Sequence, residues 1–415
     1  MAKILIASLG TGSVTKDGDS LRQYRKATYK IGEELYEETF IASALYQNLK
    51  LDRIIFIGTV KSMWEEVYRF FCKAKRVPFD EDYYWELVEK IEALNYQSSL
   101  DSLDLSELNK VLGGESKCVL TKYGLNQEEL WINFERISQS LSDLEENDQL
   151  YIDITHSFRS LPILQFLTIT FINDLLSEKK IEIAGIYYGM LEVSRELENI
   201  TPIVDLKPLF EITTWIKGAY NLKNYGNGEL IAELLCQQNE ELLAKRIHAL
   251  SDAIQINYVP DIKQKSSDLK STLSETVSEG PFKYVRSILE NFVNRFSRSS
   301  LSESQFQLEL ADWYFQNKRY STGYITLAEA VITYVCEVQG RDPKNKDCRE
   351  EMKEFLCKHN QSTSLYKVFN KVNSIRRGVA HALLEGRTEN LKQAIEEANN
   401  YQLKIRRIFS KGTLN

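Results

Sequence analysis

An arginine and a histidine near the end of the chain are the residue types that metal-free phosphodiester chemistry needs. Residues 376–381 have the sequence RRGVAH, which places Arg376 and His381 five residues apart. An imidazole titrates near neutral pH and serves as a general acid or base. A guanidinium carries a permanent charge and several donors that suit phosphate oxygens. Together the two groups suit the attack of an RNA 2′-hydroxyl on the adjacent phosphate.

The spacing of this pair raises a geometric problem. Positions five residues apart are roughly 140° apart around a regular α-helix, so Arg376 and His381 lie together only if the helix bends or ends there. Gly378 lies between them, and we expect an irregularity at this glycine. Asn373 and Arg377 flank the pair and are secondary candidates for positioning a substrate.

No sequence pattern predicts a metal site. The six cysteines are scattered, they form no CxxC pair, and no histidine stands at ligand spacing from them. A chain of 415 residues can bury a core without disulfides, so we expect these thiols to be mostly reduced. The chemistry of residues 376–381 is therefore expected to require no metal and no other cofactor.

A second polar cluster lies between an apolar strand pattern and an apolar helix pattern. Residues 153–160 have the sequence DITHSFRS, in the order strand, turn and helix start. Backbone amides at a helix N-terminus attract anions, and Arg159 adds charge-assisted contacts to a phosphate. Ser157 or Ser160 is expected to cap the helix, with Pro162 in its first turn. The candidate ligand contacts in this segment are Thr155, His156, Ser157 and Arg159.

A glycine-rich turn follows the first strand pattern. Residues 3–9 form a short apolar run, and Gly10, Thr11 and Gly12 come directly after it. Ligands bind at the carboxyl ends of strands in open parallel sheets, where glycines let the backbone approach a phosphate or sugar closely. The three residues of this turn are therefore further candidate ligand contacts. The third glycine of the GxGxxG pattern is absent, which argues against a nucleotide-dependent oxidoreductase.

Both polar turns also have a purely structural interpretation. Turn geometry alone explains the glycines, without any ligand. A helix cap in which His156 bonds to the backbone explains the DITHSFRS segment. The sequence leaves both alternatives open.

The elements that must position these residues change type about halfway along the chain. Up to Thr201, short apolar strand patterns alternate with helix patterns. Beyond residue 205 only amphipathic helix patterns occur, joined by polar segments such as 263–278. We therefore predict a Rossmann-like α/β domain with a mainly parallel sheet, followed by an all-α domain. The predicted parts are an α/β domain at 1–205, a helical connector at 206–230 and a helical domain at 231–415.

The composition is that of a globular protein, and charge distinguishes the two halves. The chain is 43% hydrophobic and 27% charged, with a net charge of −7, which argues against a protein that coats nucleic acid over its whole surface. Residues 231–415 contain 27 Lys and Arg against 23 Asp and Glu, whereas residues 1–230 contain 25 against 36. No apolar run reaches the ~20 residues of a membrane span, and no signal-peptide pattern is present. We therefore expect a cytoplasmic protein.

The DITHS segment resembles the signature of the CRISPR-associated DxTHG family. Ser157 stands where that signature has glycine, and serine tolerates a positive φ poorly, so the local backbone conformation is left open. Residues 205–235 resemble the helical connector of the family, and residues 308–337 resemble its helical core. The resemblance spans both halves of the chain, although residues 75–115 have no counterpart in it.

This family belongs to the accessory ribonucleases of type III CRISPR systems, in which a CARF domain (CRISPR-associated Rossmann fold) is joined to an all-helical HEPN ribonuclease domain. The family's catalytic motif is an arginine, four to six residues and a histidine, which Arg376 and His381 match. The resemblance implies metal-independent cleavage of single-stranded RNA that leaves cyclic phosphate ends. It also implies a homodimer in which two copies of the motif share one cleft, with further assembly left open.

The resemblance implies an activator as well. In the family, a cyclic oligoadenylate made by the type III interference complex binds across the dimer axis of the CARF domain, and we expect cyclic tetra-adenylate here. Its implied contacts are the candidate ligand residues of the two polar turns. The alternative function is a regulatory module that binds the cyclic nucleotide while its helical domain is catalytically inert.

Overall fold

The chain divides into two units in the computed structural model, which describes residues 1–14, 22–23, 26–277, 279–381 and 391–415. The units are Met1–Phe210 and Glu211–Asn415. Among the described residues, strands occur only in the first unit, and the second unit is helical throughout. The predicted fold class, α/β followed by all-α, is confirmed.

The first unit alternates strands with helices. Its strands are β1 (Lys3–Leu9), β2 (Ser13–Val14), β3 (Arg22–Gln23), β4 (Ala27–Ile31), β5 (Glu34–Glu38), β6 (Arg53–Thr59), β7 (Lys117–Thr121), β8 (Gln149–Asp153), β9 (Glu182–Gly189) and β10 (Ile200–Asp205). Its helices are α1 (Ile41–Leu49), α2 (Trp64–Lys75), α3 (Glu81–Ala93), α4 (Ser106–Leu112), α5 (Gln127–Ser140) and α6 (Ser160–Leu175). Helix α7 (Lys207–Tyr225) begins in the first unit and continues into the second.

One eight-stranded sheet organises the first unit, in the order β5-β4-β10-β9-β8-β1-β6-β7. Strands β9, β8, β1, β6 and β7 are parallel to their neighbours in this series. Strand β10 is antiparallel to β9, and β5 is antiparallel to β4. The sheet is therefore mainly parallel, with an antiparallel extension on one side.

The central strands are apolar on both faces because helices cover both sides of the sheet. In β1, alternate residues Leu5, Ala7 and Leu9 pack into a core that includes residues of α1–α4. Ile4 and Ile6, at the alternating positions on the other face of the strand, pack into a second core that includes residues of α5 and α6. This alternation follows from the two-residue period of a strand.

The order of the strands creates a crevice between β1 and β8. From β1 the parallel strands extend to β6 and β7 on one side and to β8 and β9 on the other. Such a switch in strand order leaves an open crevice at the carboxyl ends of the two central strands, where ligands bind in open α/β sheets. Ala7 pairs with Asp153, so the residues that follow β1 and β8 leave the sheet side by side.

The second unit is built from helices around two apolar cores. They are α8 (Glu229–Gln237), α9 (Glu241–Gln255), α10 (Val259–Glu275), α11 (Phe282–Phe296), α12 (Glu303–Gln316), α13 (Tyr320–Val338), α14 (Lys346–Glu354), α15 (Ser364–His381) and α16 (Leu391–Phe409). One core joins α7–α12, and the other joins α12–α16 around the buried helix α13. The expectation that 263–278 is a polar joining segment is wrong, because most of it forms α10. The helix buries Ile262, Leu269 and Leu273.

Candidate functional site

The candidate ligand residues from the two polar turns lie at the same edge of the sheet. Gly10, Thr11 and Gly12 follow β1, and the other candidates follow β8, the neighbouring strand. The structure therefore brings together, at the crevice, two segments that are far apart in the sequence. The candidates that follow β8 are Thr155, His156, Ser157 and Arg159.

The glycine turn after β1 is fixed by a close approach of Met63. Gly12 has a φ of 69°, and a Cβ atom at this position would overlap the sulfur of Met63. The Met63 N–H donates to the Gly10 carbonyl over 3.0 Å, and the Ser62 hydroxyl donates to the Leu9 carbonyl over 2.7 Å. Packing and turn geometry thus account for glycine at position 12, whether or not a ligand binds there.

Hydrogen bonds tie the loop after β8 to the end of β9. The Thr155 N–H donates to Oδ1 of Asp153 over 2.9 Å. The Gly189 N–H donates to Oγ1 of Thr155, also over 2.9 Å. Thr155 therefore holds the ends of two neighbouring strands in a fixed relation beside the crevice.

Asp153 and Tyr29 form a buried polar pair beneath this edge. Neither side chain is exposed, and neither Asp153 Oδ2 nor the Tyr29 hydroxyl has a hydrogen-bond partner among the described residues. Burial raises the pKa of Asp153 to about 7. Burial and the charge of Asp153 raise the pKa of Tyr29. Sequence reasoning did not select these residues, although an aspartate at the end of an apolar strand was an available signal for Asp153.

His156 is a neutral group at this edge. Its side chain is half-buried, and Nε2 is shielded from solvent. Burial lowers the pKa of His156 to about 4, because the charged imidazolium loses its hydration. At neutral pH the ring therefore adds no positive charge to the crevice.

Ser157, which stands where the family signature has glycine, adopts a backbone conformation that favours glycine. Its φ is 93°, in the region that side chains with a Cβ atom disfavour. The expectation that Ser157 or Ser160 caps α6 is wrong: Arg159 is the N-cap residue, no side chain caps this helix end, and Ser160 is already helical. The left-handed turn at Ser157 directs the chain into the helix without a capping side chain. Pro162 lies in the first turn of α6, as expected.

Arg159 supplies a cation at the rim of the crevice. Its side chain is exposed, and its charge acts on Tyr188 at the end of β9. The Tyr188 hydroxyl donates to the carboxylate of Glu192 over 3.2 Å. Phe158 and Tyr123 lie ring to ring with centroids 5.0 Å apart. The edge therefore offers backbone amides, one arginine and aromatic rings, which suit a ligand with phosphates and bases.

In the second unit, α15 carries the arginine and histidine predicted to be catalytic. The helix extends from Ser364 to His381 and includes Gly378, where an added Cβ atom would meet nothing within 4 Å. The irregularity expected at Gly378 is absent, because a glycine costs a packed helix only about 1 kcal/mol. On this continuous helix, positions 376 and 381 are roughly 140° apart around the axis. The side chain of His381 lies outside the described atoms.

Arg376 is held by a carboxylate of the neighbouring helix. Its guanidinium lies 3.3 Å from Oε1 of Glu329 on α13, and a quarter of its side chain is exposed. Asn373 is half-buried and lies one turn before Arg376, on the same side of α15, whereas Arg377 is exposed. Of the two secondary candidates, the helix thus brings Asn373 next to Arg376 and turns Arg377 away.

No cluster of three or more His, Cys, Asp or Glu suited to a metal occurs in the described part of the chain. The helices that are described include none long and apolar enough to cross a membrane.

Comparisons with known proteins match both units. Residues 4–192 match the family profile described as CRISPR system endoribonuclease Csx1, CARF domain. Residues 211–303 match the profile described as CRISPR-associated protein MJ1674, second domain. CRISPR-associated protein MJ1674 of Methanocaldococcus jannaschii is 35% identical over 406 residues, which are 92% of this chain and 62% of that protein. The chain is thus similar to CRISPR-associated proteins, and its first unit matches a CARF domain.

The CARF match contains both polar turns of the crevice, from Gly10 to Arg159. The match to the second domain ends at residue 303, before α13 and α15. The chain spans less than two thirds of the length of its archaeal relative. A solved structure, Enterococcus italicus Csm6 bound to cyclic hexa-2′-fluoro-hexa-dAMP, is 14% identical and covers 99% of this chain and 94% of its own, with a TM-score of 0.42.

Proposed function

We propose that this CARF protein is an endoribonuclease of type III CRISPR antiviral defence, which acts in the cytoplasm and is activated by a cyclic oligoadenylate. In this proposal residues 1–205 are the CARF sensor, 206–230 the connector and 231–415 a HEPN-type ribonuclease domain. The observation that carries the proposal is a CARF domain joined to a helical unit in which Arg376 and His381 share the last turns of α15.

These two residues supply the chemistry of metal-free cleavage of single-stranded RNA. The His381 imidazole takes or gives the proton when the 2′-hydroxyl attacks the phosphate and the 5′-oxygen leaves. The Arg376 guanidinium stabilises the extra negative charge on the phosphate oxygens. The products then carry a 2′,3′-cyclic phosphate. Asn373 and Arg377 position the RNA backbone on either side of Arg376.

Two copies of the chain form the cleavage site in this proposal. Positions 376 and 381 are roughly 140° apart around one continuous helix, which favours a site in which the arginine and the histidine come from different chains. Two copies of α15 that face each other bring an arginine and a histidine from different chains into one cleft. The active form in this proposal is therefore a homodimer.

Helix α6 of the CARF domain has a face suited to such self-association. Its inward side carries two fully buried polar residues, Gln165 and Thr168, while its outward side is apolar. The outward residues are Ile163, Leu167, Phe171 and Leu175, which are 48–62% exposed. Asp174 is the only charged residue of the helix. Monomeric proteins rarely expose a contiguous apolar patch of this kind.

A second copy of the same chain is the partner that fits this α6 face. Residues 1–230 contain 36 acidic against 25 basic residues, so two copies repel each other unless they meet through an uncharged surface. On α5, Trp131 is 58% exposed and packs on Phe134, which packs on Phe171. The patch thus spans two helices. A stable protein–protein interface usually buries ~800 Å² per partner, which is more than one helix face supplies.

The activator site follows from the position of α6. The helix begins at Ser160, directly after Arg159, so self-association near its N-terminus places two copies of the crevice loops side by side. Cyclic tetra-adenylate then contacts Gly10–Gly12 and the loop after β8 from both chains. Binding shifts the dimer toward the state that cleaves, and RNA binding strengthens activator binding by the same factor.

Cleavage of a fluorescent single-stranded RNA in EDTA tests the proposal. The reaction is measured without activator, with cyclic tetra-adenylate and with cyclic hexa-adenylate, with His381→Ala as the control. We expect cleavage only with cyclic tetra-adenylate, cyclic phosphate ends on the products and no cleavage by the variant. Activator binding without cleavage under any of these conditions would instead support the catalytically inert regulatory module.

A further inference from the structure

Glu329 is an isolated charge in a buried helix. From Tyr320 to Cys336, α13 contains no other charged residue, and most of its side chains lie in the core. Burying a carboxylate near apolar groups is unfavourable unless cations compensate its charge. Its presence at this position therefore needs an explanation in terms of its partners.

The two oxygens of Glu329 are divided between two arginines. Oε1 lies 3.3 Å from the guanidinium of Arg376, and Oε2 lies 2.6 Å from that of Arg349 on α14. All three side chains are partly shielded from water, with 23–36% of each exposed. Each oxygen is thus committed to one arginine.

Arg349 is fixed more firmly than Arg376. One of its terminal nitrogens donates to the Thr333 hydroxyl over 2.8 Å and to the Pro343 carbonyl over 3.0 Å, and the other donates to Glu329. Arg376 has one longer contact to the same carboxylate. Arg349 therefore orients Glu329, and Glu329 in turn orients Arg376.

The positive charge of the two arginines exceeds the negative charge of Glu329 by one unit. Two guanidinium groups share one carboxylate, so the group formed by Glu329, Arg349 and Arg376 carries a net charge of +1. One phosphate group of RNA, bound at the partly exposed Arg376, would neutralise this net positive charge. A guanidinium that is held in place before the substrate arrives loses less entropy in the transition state.

We infer that Glu329 is a positioning residue for RNA cleavage, which sets the direction of Arg376 with the support of Arg349. The inference rests on the proposed ribonuclease function and adds to it a three-residue relay from α14 through α13 to α15. Glu329 does not touch the substrate, so its effect is expected in the rate of the bound complex rather than in RNA affinity.

The test compares Glu329→Gln with the native chain, using activator-dependent RNA cleavage to obtain kcat and KM. The variant keeps the size of the side chain and removes its charge. We expect kcat to fall ten- to hundredfold, while KM stays the same or decreases, because the site becomes more positive. A merely structural role would not separate the two constants in this way.

Glu337→Gln is the matched control on the same helix. Its carboxylate accepts hydrogen bonds from the backbone N–H and the hydroxyl of Ser304 at the start of α12. We expect kcat of this variant to equal that of the native chain, even if its thermal stability decreases. Arg349→Met should reproduce the kcat loss of Glu329→Gln, and the double variant should lose little more, because both act through one relay.

Failure of the inference differs from failure of the proposed function. If the native chain cleaves RNA and Glu329→Gln has the native kcat, the relay is overturned and the ribonuclease proposal stands. Equal losses in the Glu329→Gln and Glu337→Gln variants would likewise overturn it. If the native chain does not cleave RNA with any activator, both proposals are overturned.

Discussion

At the crevice of the CARF sheet, residues that are far apart in the sequence are held together within one chain. Met63 bonds to Gly10 after β1, and Gly189 bonds to Thr155 after β8. On α15 the situation is reversed, because positions 376 and 381 are near each other in the sequence and roughly 140° apart around the helix axis. A parallel sheet collects the ends of its strands at one edge, whereas a helix distributes neighbouring residues around its axis.

The difference indicates how the two regions depend on a second chain. The crevice loops have their conformation within one chain, where hydrogen bonds hold Thr155 and Gly10 and the close approach of Met63 restricts Gly12. In the proposed function, the candidate cleavage residues act on one phosphate only when a second copy of the chain is present. Variants that affect one region and spare the other therefore test this comparison.

The largest expected effect is the loss of cleavage without loss of activator binding. Arg376→Ala and His381→Ala should each lower the single-turnover rate about 1000-fold or more, which corresponds to ~4 kcal/mol of transition-state stabilisation. Calorimetry should show native affinity for cyclic tetra-adenylate, because both residues lie in the other unit. Arg377→Ala, at an exposed position on the same helix, should have a smaller effect. Loss of activator binding in either variant would contradict the separation of the two regions.

A charge on the α6 face should convert the proposed dimer to a monomer. Phe171→Glu places a carboxylate where a second copy would bury it, at a cost of several kcal/mol. Analytical ultracentrifugation should show a monomer, and cleavage should fall about 100-fold at low protein concentration. Leu35→Glu on β5 is the matched control, since Leu35 is 56% exposed against 48% for Phe171 and lies outside the patch. A dimer that survives Phe171→Glu would place the interface elsewhere.

Replacing Asp153 should change the pH dependence of stability. The folded-state pKa of Asp153 is about 7, above its ordinary value of 3.8, so the folded chain holds this proton more tightly than the unfolded chain. Stability from this group is complete below pH ~4 and is lost as pH rises through 7. Between pH 5 and pH 8 the free energy of unfolding of the native chain should fall by ~3 kcal/mol because of this group. Asp153→Asn, whose side chain can still accept the hydrogen bond from Thr155, should not show this fall. Urea unfolding at both pH values measures it, and parallel losses in the two proteins would contradict the burial of this carboxyl group.

The smallest effect is expected at Ser157. Ser157→Gly relieves the strain of a φ of 93° and should stabilise the CARF domain by about 1 kcal/mol, seen as a higher Tm. Ser160→Gly, three residues later in the first turn of α6, should destabilise it instead. Activator affinity should stay within twofold in both variants. Destabilisation by Ser157→Gly would show that the serine side chain has a role that offsets its strain.

The fold was predictable where apolar runs are continuous. The patterns of β1, β6, β7, β8 and β9 appear directly in the sequence, because these strands are buried on both faces. Strands β4 and β5 were missed, since β5 is largely exposed at the edge of the sheet and contains three glutamates. Helix α10 was missed because Ser266 and Thr272 occupy part of its buried side, which obscures the helical period.

The candidate site was predictable in its residue types and only partly in its geometry. The order of strand, polar turn and helix identified both crevice loops. The pairing of Asp153 with Tyr29, and of Arg376 with Glu329, joins residues far apart in the sequence, so no local pattern reveals either. Gly378 and Ser160 show the opposite error. The preference of glycine to interrupt a helix is overridden by packing at Gly378. The preference of serine to cap a helix is overridden at Ser160 by the left-handed turn at Ser157.

Mixed dimers test the central claim most directly, namely that one chain lacks a complete cleavage site. Arg376→Ala and His381→Ala chains with different tags are co-expressed, and the heterodimer is purified through both tags. It retains Arg376 in one chain and His381 in the other, so the account predicts activator-dependent cleavage far above that of either variant alone. A heterodimer as inactive as its two parents, beside an active dimer of native chains prepared in the same way, would contradict the account.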